Sequence, residues 1–359
     1  MLLVVNAGSS SIKLAVFDPQ LRQVLAGAVT EIGAQARIKI GNVDQTAPIA
    51  DHPAALQLAL TITAQSGYPT HTFTAAAHRV VHGGINLRAA CKISPAIIAQ
   101  IEACVPLAPL HNPASLMAIR ALQRLAPDLP QYASFDTAFH ATNPAVATTY
   151  ALPADIRDQG IRRYGFHGIS YAGLVKTLRD QLDGCLPQRL LALHLGNGAS
   201  LCAILNGKSV ATTMGYSPLD GLTMGTRAGG IDGNAVLRLA ELHGIAAAAD
   251  ILNRRSGLLA LGGSNDMRTL HGADTADARF AVDHFCYWAG RHAGSMIAAM
   301  GGLDAIAFTG GIGENDAVVR GDILARLGWA GSDIPSYIIA ANEERFIAAE
   351  AAQLHRAGA

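Results

Sequence analysis

The sequence has little charge, no closely spaced cysteine pair and no long apolar run. Only 15% of its 359 residues are charged, lysine plus arginine equals aspartate plus glutamate at 27 each, and the isoelectric point is about 7.2. This balance argues against a basic nucleic-acid surface and a polybasic membrane patch, and it favours small-molecule ligands. The five cysteines form no CxxC pair and lie in apolar contexts. We therefore expect them to be reduced core residues, and no zinc site is predicted.

The start of the chain has neither a basic region nor an apolar stretch long enough to span a membrane. We expect no signal peptide, no membrane partner and a cytoplasmic location. Half of the residues are hydrophobic. Because a chain of this length is too long for one comfortable core, it predicts two domains with a cleft between them.

The stretch Leu191–Leu205, LALHLGNGASLCAIL, predicts a strand, a glycine turn and a second strand. Glycines in such a turn let backbone N–H groups approach a phosphate, although Asn197-Gly198 is a good type I′ signal and this stretch alone favours an ordinary hairpin. The N-terminal VVNAGSSSIKLAVF has the same plan, with Gly8-Ser9-Ser10 aligned to Gly198-Ala199-Ser200. Two such turns indicate two related halves.

Apolar periodicity predicts the remaining elements. Ser94-Pro95 and Asn112-Pro113 are each expected to start a helix, with Ser or Asn as the cap and proline in the first turn. After the strand at 305–309, GGIGEN predicts a helix start whose amides face an anion. Strands are predicted at 2–6, 12–18, 23–29, 36–43, 75–81, 209–213 and 305–309 and one ending near Phe135; helices at 52–65, 170–182, 234–255 and 276–300; and a domain-connecting segment at 143–159.

Nine motifs, in order along nearly the whole chain, resemble those of the acetate kinase (acetokinase) family. They are NAGSSSIK (Asn6–Lys13), HRVVHGG (His78–Gly84), LAPLHNP (Leu107–Pro113), FDTAFH (Phe135–His140), RYGFHG (Arg163–Gly168), HLGNGAS (His194–Ser200), SPLDGLTMGTR (Ser217–Arg227), SNDMR (Ser264–Arg268) and FTGGIGEN (Phe308–Asn315).

The resemblance implies an α/β fold of two duplicated actin-like ATPase (ribonuclease H-like) domains with an interdomain cleft. It places the first domain at 1–145, completed by a C-terminal helix at about 343–359, and the nucleotide-binding and dimerising domain at 146–342. It further implies Mg²⁺-dependent phosphoryl transfer, with Mn²⁺ able to substitute, from ATP to a short carboxylate such as acetate, and a homodimer.

Carried onto this sequence, the family pattern implies roles for individual residues. Asn6 and Glu343 would hold the metal, Lys13 would lie near the nucleotide phosphates, and Arg79 would bind the carboxylate. The catalytic residues would be Asp136, His167 and Arg227. The nucleotide would also contact His194, Leu195, Gly196, Asn197, Gly198, Asp266, Met267, Arg268, Gly311, Ile312, Gly313, Glu314 and Asn315, and the acyl pocket would comprise Val81, Leu110, Phe166 and Pro218.

The chemistry agrees with these roles. Phosphoryl transfer spreads negative charge over the equatorial oxygens, which His167 and Arg227 could stabilise. Acetate is ionised at neutral pH, so Asp136 is expected to orient a metal-bound water or Arg79 rather than to remove a proton. Val81 follows Arg79 by two residues in a predicted strand, so both side chains would share one face, the valine measuring acyl length.

Each assignment has a structural alternative. His111, His140 and His167 could be ordinary core or capping histidines; the motif favours a functional role for His167 and a structural one for His140. Arg79 could pair with a structural carboxylate. Glu343 could simply favour a helix start, and Val81 could be a core valine.

The chain also departs from the family pattern. Ala211 replaces an aspartate, and Ala228, Gly230 and Gly233 replace Ser, Asp and Pro of GTRSGDIDP. The segment from Asn315 to Asn342 is short. Weaker catalysis or another acyl substrate could follow, so propionate or butyrate kinase activity is the first alternative. A weakly catalytic nucleotide-binding module is the second.

Overall fold

The computed structural model describes residues 1–331 and 333–358, which form two compact units. The first unit comprises Met1–Ala138 and Asn342–Ala359, and the second comprises Phe139–Ala341. None of the described helices combines the length and the apolar composition that a membrane-spanning segment needs.

The described strands are β1 (Leu2–Ala7), β2 (Ser11–Phe17), β3 (Gln23–Thr30), β4 (Gln35–Ile40), β5 (Val43–Pro48), β6 (Ala75–Val80), β7 (Cys91–Lys92), β8 (Gln131–Phe135), β9 (Arg189–Leu195), β10 (Ala199–Leu205), β11 (Lys208–Thr212), β12 (Ala305–Thr309) and β13 (Ser336–Ile338).

The described α-helices are α1 (His52–Gln65), α2 (Pro95–Ala103), α3 (Asn112–Leu125), α4 (Ala145–Thr148), α5 (Ala154–Arg157), α6 (Gly168–Gln181), α7 (Gly233–His243), α8 (Ile245–Arg254), α9 (Gly257–Gly262), α10 (Met267–Gly272), α11 (Ala276–Met300), α12 (Gly310–Asn315), α13 (Ala317–Arg326) and α14 (Glu343–Ala357). Short 3-10 helices lie at Thr70–Thr72, Val105–Leu107, Ala138–Thr142 and Gly328–Ala330.

In the first unit the sheet order is β5-β4-β3-β2-β1-β6-β8-β7. Strands β1 to β5 pair antiparallel in sequence, whereas β6 and β8 run parallel to β1. Alternate residues of β1, Leu3 and Val5, join one core with helices α1 and α3. Helix α14 also packs on β1 and β6. Because helices pack on this central part of the sheet, β1 is an almost continuous apolar run.

In the second unit the sheet order is β11-β10-β9-β12-β13. Strands β9 to β11 are antiparallel and β12 and β13 are parallel to β9. Helix α6 shares a core with the sheet through Tyr171, Leu174 and Leu178. The run β11-β10-β9-β12-β13 repeats β3-β2-β1-β6-β8 in order and direction, so the expectation of two related α/β halves is confirmed.

The β1–β2 and β9–β10 hairpins are structural counterparts, but their turn residues align differently from what the sequence predicts. Gly8 follows β1 immediately, as Gly196 follows β9. The structural counterpart of Gly8 is therefore Gly196, and its alignment with Gly198 is wrong by two residues. Both turns consist of small and polar residues, so the sequence alone does not reveal this offset of two residues.

Two further expectations are corrected, and one strand was missed. Asn112 does not cap α3: its side chain instead accepts from the His82 amide at 3.1 Å and donates to the His82 carbonyl at 3.0 Å. The strand β5 was not predicted because its mostly exposed residues lack apolar alternation. Strand β6 ends at Val80, so Val81 lies just outside it and the argument that alternation directs Val81 and Arg79 to one face is wrong.

Candidate active site

An arginine–aspartate pair lies at the end of two parallel strands in the first unit. Arg79 is on β6, and Asp136 follows β8 directly. The arginine Nε lies 3.1 Å from Oδ1 and its Nη2 lies 2.6 Å from Oδ2 of Asp136. This side-on, two-point contact fixes the plane of the guanidinium group. Asp136 is only 2% exposed.

The strand pairing explains why these side chains meet. Arg79 is the register partner of Ser134 in the parallel pair β6–β8. Asp136 is two residues beyond Ser134, and its amide still donates to the Val80 carbonyl at 3.1 Å. Functional groups gather at the carboxyl ends of parallel strands because those ends share one edge of the sheet.

Asn6 and Glu343 complete this cluster. Oδ1 of Asn6 lies 3.4 Å from Nη1 of Arg79, and Oε2 of Glu343 lies 3.9 Å from its Nε. Glu343 opens α14, whose N-terminal cap is the side chain of Asn342. Lys13 faces Asn6 across the β1–β2 pair and is exposed. The residues assigned to the metal and to the carboxylate are therefore neighbours.

Burial and the neighbouring charges in this cluster shift the pKa values of Glu343 and Arg79. Burial raises the pKa of Glu343, an effect that the nearby Arg79 opposes and the charge of Asp136 reinforces. Burial also lowers the pKa of Arg79, but the charges of Asp136 and Glu343 outweigh it and hold that pKa above its usual value. The arginine stays charged, and the carboxylates compete for it.

The donor set suits a hard divalent cation. Asn6, Asp136 and Glu343 offer amide and carboxylate oxygens, the ligands that Mg²⁺ prefers. Within the described parts of the chain, no group of three or more His, Cys, Asp or Glu residues could hold a metal by itself. Magnesium at phosphoryl-transfer sites takes only one or two protein carboxylates and keeps other oxygen ligands, so the chemistry of these donors is compatible with Mg²⁺.

In the second unit, two stacked histidines lie against the glycine turn. His194 and Ser200 are directly opposite in the β9–β10 pair. His167, immediately before α6, stacks on His194 with ring centroids 4.1 Å apart, and its Nδ1 lies 2.9 Å from Oγ of Ser200. The same hydroxyl lies 2.6 Å from the hydroxyl of the buried Tyr171. The turn therefore sits beside an ordered imidazole.

Arg227 reaches the same turn. A methyl group built on Gly198 would lie 3.1 Å from Nε2 of His167 and 3.7 Å from Nη1 of Arg227. The arginine donates to the Pro218 carbonyl at 3.1 Å. The amide of Gly225, two residues earlier, donates to the carbonyl of Asn197 in the turn at 3.0 Å. Two basic side chains thus converge on Gly198.

A cavity of about 870 Å³ opens beside this turn. Small-molecule sites commonly occupy about 300–1,000 Å³. Of the residues assigned to the nucleotide, the lining includes Gly196, Asn197, Asp266, Met267, Arg268, Gly311, Ile312 and Asn315. Asp266 caps α10 and binds Arg268 at 2.7 Å, and the hydrogen bond from that side chain is the main reason that the pKa of Asp266 falls to about 2.

The lining also contains residues that the sequence argument missed: Asn265, His271, Asp316, Ala317 and Val318. Nε2 of His271 lies 2.8 Å from Oδ2 of Asp316, joining the end of α10 to the cap of α13. The position of Asp316 directly after the GGIGEN motif was the available signal. Ser200 and Tyr171 were also missed, because nothing in the sequence shows that they contact His167.

Other residues assigned to the nucleotide have different surroundings. Oε1 of Glu314 accepts from the amides of Gly310 at 3.1 Å and Ala341 at 2.8 Å, so part of the expected anion-facing amide set is already occupied. Leu195 is fully buried, and a methyl group on Gly313 would meet the Leu195 side chain and the Leu193 carbonyl. These residues shape the strand–helix junction.

The residues assigned to the acyl group differ in exposure. In the first unit, Val81 is 7% exposed and Leu110 is 43% exposed. In the second unit, Phe166 is 1% exposed and Pro218 is partly buried. Their role in acyl binding stays a prediction.

Comparisons with known proteins agree with this arrangement. The acetokinase family model matches residues 1–356. An acetate kinase of Rhodopseudomonas palustris is 42% identical over 92% of this chain and 87% of its own length. An acetate kinase of Nitrobacter hamburgensis is 42% identical over 97% of this chain and 94% of its own length.

Solved structures are similar throughout. A Francisella tularensis propionate kinase has a TM-score of 0.93 at 33% identity, covering 97% of this chain and 98% of its own. The Porphyromonas gingivalis acetate kinase has a TM-score of 0.90 at 32% identity, with 98% and 99% coverage. The chain therefore belongs to the acetokinase family.

Proposed function

We propose that this protein is an acetate kinase, a phosphotransferase that reversibly transfers the γ-phosphoryl group of ATP directly to acetate, giving acetyl phosphate and ADP. The observation that carries the proposal is the geometry of Arg79. Asp136 takes its Nε–H and one Nη2–H, and Asn6 lies near one Nη1–H.

A guanidinium group has five N–H donors, and these contacts use three. Among the described residues, that leaves one N–H on each terminal nitrogen, and a carboxylate could bind the end of the guanidinium group through them. Asp136 thereby orients Arg79 toward an anionic substrate. Since acetate is already ionised at neutral pH, the reaction requires no general base, and a role for Asp136 in proton removal is unnecessary.

The second unit would supply the nucleotide site. The cavity beside Gly196 and Asn197 has a suitable volume, and Gly311 and Asp266 lie on its wall. His167 and Arg227 lie at Gly198. Placed beside the transferring phosphoryl group, they would stabilise the charge that grows on its equatorial oxygens, a contribution made in the transition state rather than in the ground state.

Asn6 and Glu343 would hold Mg²⁺, with Mn²⁺ able to replace it, and Lys13 would add positive charge for the phosphates. The bound cation would neutralise nucleotide oxygens. Glu343 suits this role because burial raises its pKa, so a cation would relieve the cost of its negative charge.

Propionate kinase activity is the second candidate. The observation in its favour is the propionate kinase structure, whose TM-score of 0.93 is slightly above the 0.90 of an acetate kinase structure. The two scores are too close to separate the acceptors, and the similar curated relatives at 42% identity are acetate kinases. We therefore place acetate first.

We also propose a cytoplasmic homodimer. Exposed apolar side chains on α7 and at the start of α8 support an interface there: Leu237 is 62% exposed, Leu242 56% and Ile245 82%. Burying such side chains is the usual driving force of association. The wild type should have a dimer's mass in light scattering and Leu237→Glu a monomer's; a monomeric wild type would refute the dimer.

The activity is tested by following ADP release with and without acetate. The proposal predicts that ADP release depends on the carboxylate. Equal ATP hydrolysis in its absence would instead favour a nucleotide-binding module.

A further inference from the structure

His140 is a buried histidine whose two ring nitrogens both have polar partners. It is 2% exposed, Nε2 lies 2.9 Å from the Phe166 carbonyl oxygen, and Nδ1 lies 2.9 Å from Oγ of Ser209. Because a carbonyl can only accept, Nε2 carries the proton and donates it to Phe166. This bond ends at the residue immediately before His167.

The segment that receives this bond has an unusual backbone. Gly165 has a φ of 80° and His167 a φ of 59°. Left-handed backbone is uncommon for residues other than glycine, and it persists where the surrounding structure enforces it. A methyl group on Gly165 would lie 2.7 Å from ring carbons of His140 and 2.6 Å from the Thr212 methyl. The His140 ring therefore packs directly against the turn that leads into His167.

His140 is itself held firmly. Oγ of Ser209 also lies 2.7 Å from Oδ1 of Asn143. The ring makes edge-on contacts with Phe139 at 5.9 Å and with Tyr171 at 5.8 Å. Buried polar groups with such contacts have little freedom to move.

We propose that His140 is a positioning residue for His167. Its Nε2–H and its ring hold the Gly165–His167 turn in the conformation that stacks His167 on His194 and brings Nδ1 to Ser200. This inference rests on the proposed function, in which His167 stabilises the transferring phosphoryl group. His140 acts only through His167, and it contacts no substrate.

The test compares two amide replacements of different reach. The side-chain nitrogen of His140→Gln can occupy the position of Nε2 and donate to Phe166, whereas that of His140→Asn reaches only the position of Nδ1. The Asn variant should lose about a hundredfold in kcat, the cost of a small misplacement of a group in the site, with KM values for ATP and acetate nearly unchanged. The Gln variant should retain most of the wild-type kcat.

The same substitution is then made in a His167→Ala background. If His140 acts through His167, His140→Asn should lower kcat there by less than about threefold, because coupled residues are not additive. An equal loss in both backgrounds would overturn the proposal and indicate a general structural role. Thermal unfolding of each variant checks that the protein is folded.

A second measurement does not depend on activity. The imidazole Cε1–H resonance of His167, assigned by its absence in His167→Ala, should carry the ring-current shift of the stacked His194 in wild type and in His140→Gln, and lose it in His140→Asn. An unmoved His167 resonance in a folded Asn variant would overturn the proposal. If the Asn variant does not fold, a displaced resonance in the Gln variant would overturn it, and an unmoved one would support it. If wild type forms no acyl phosphate, the proposed function fails, and the resonance still decides whether His140 positions His167.

Discussion

Nη2 of Arg79 lies 2.6 Å from Oδ2 of Asp136, and its Nε lies 3.1 Å from Oδ1. In the proposed function, this side-on pair leaves the end of the guanidinium group for the carboxylate of the substrate. In the same proposed function, Asp136 orients Arg79 and does not accept a proton.

Replacing Arg79 with lysine should mainly weaken carboxylate binding. Lysine keeps a positive charge for Asp136 but has no two-point fork, so KM for acetate should rise roughly tenfold to a hundredfold with a smaller change in KM for ATP. Initial rates across acetate concentrations measure this. Unaltered acetate saturation would remove Arg79 from the acceptor site. Arg79→Ala should raise KM further and also lower stability, because it leaves the buried Asp136 unpaired.

Replacing Arg227 with alanine should act on the transition state. An arginine that stabilises transferring phosphoryl charge contributes on the order of a thousandfold or more to kcat, so kcat should fall by about that factor while ADP affinity stays nearly constant. Turnover and ADP titration calorimetry measure the two quantities separately. If ADP binding is lost instead, Arg227 belongs to ground-state nucleotide binding.

Activity should require a divalent cation. Excess chelator should abolish turnover, and added Mg²⁺ or Mn²⁺ should restore it, because side-chain cations rarely replace a metal that neutralises phosphate oxygens. Glu343→Gln should raise the Mg²⁺ concentration needed for half-maximal activity. Full turnover in chelator would refute the cation requirement, and an unchanged Mg²⁺ response in the variant would remove Glu343 from the metal site.

Glu350 should make stability depend on pH. Burial raises its pKa, against the hydrogen bond that Ser134 donates to Oε2 at 2.6 Å. A carboxyl group with a raised folded-state pKa contributes stability that is present at low pH and lost as pH rises through that pKa. The thermal unfolding midpoint of Glu350→Gln, compared with that of wild type, should therefore rise by a few degrees as pH increases through the folded-state pKa of Glu350. A difference that is constant with pH, or that shifts in favour of wild type as pH rises, would contradict this.

Val81→Ala should shift acceptor preference toward propionate. If Val81 contacts the acetate methyl, removing its side-chain methyls makes room for one methylene, worth about 1–3 kcal/mol in kcat/KM. Catalytic efficiencies for both acids in both proteins test this. An unchanged ratio would leave Val81 as a buried core residue, the simpler explanation now that the strand-alternation argument has failed.

The sequence predicted elements best where the local pattern and the final packing agree. The bounds of α1 and α11 match the periodic segments at 52–65 and 276–300. Prediction from local sequence failed where a side chain has a partner that is distant in the chain. Asn112 is a residue type typical of helix caps, but its side chain forms hydrogen bonds with the backbone of His82. The exposed edge strand β5 has no apolar alternation to reveal it.

The candidate site was foreseen to a similar degree. Much of the cavity lining was named because motifs of this chain resemble those of the acetokinase family. The supports of His167, namely Ser200, Tyr171 and His140, depend on contacts between residues far apart in the chain. Such contacts are visible only once the chain is folded.

The central claim is that the chain transfers phosphate to acetate. Its most direct test is trapping of acyl phosphate with hydroxylamine in parallel reactions containing ATP, Mg²⁺ and acetate, propionate, butyrate or no carboxylate. We expect acetohydroxamate to form, acetate to have the highest kcat/KM of the three acids, and no hydroxamate to form without a carboxylate. Preferential formation of the propionate or butyrate product, or ATP hydrolysis with no hydroxamate from any acid, would contradict it.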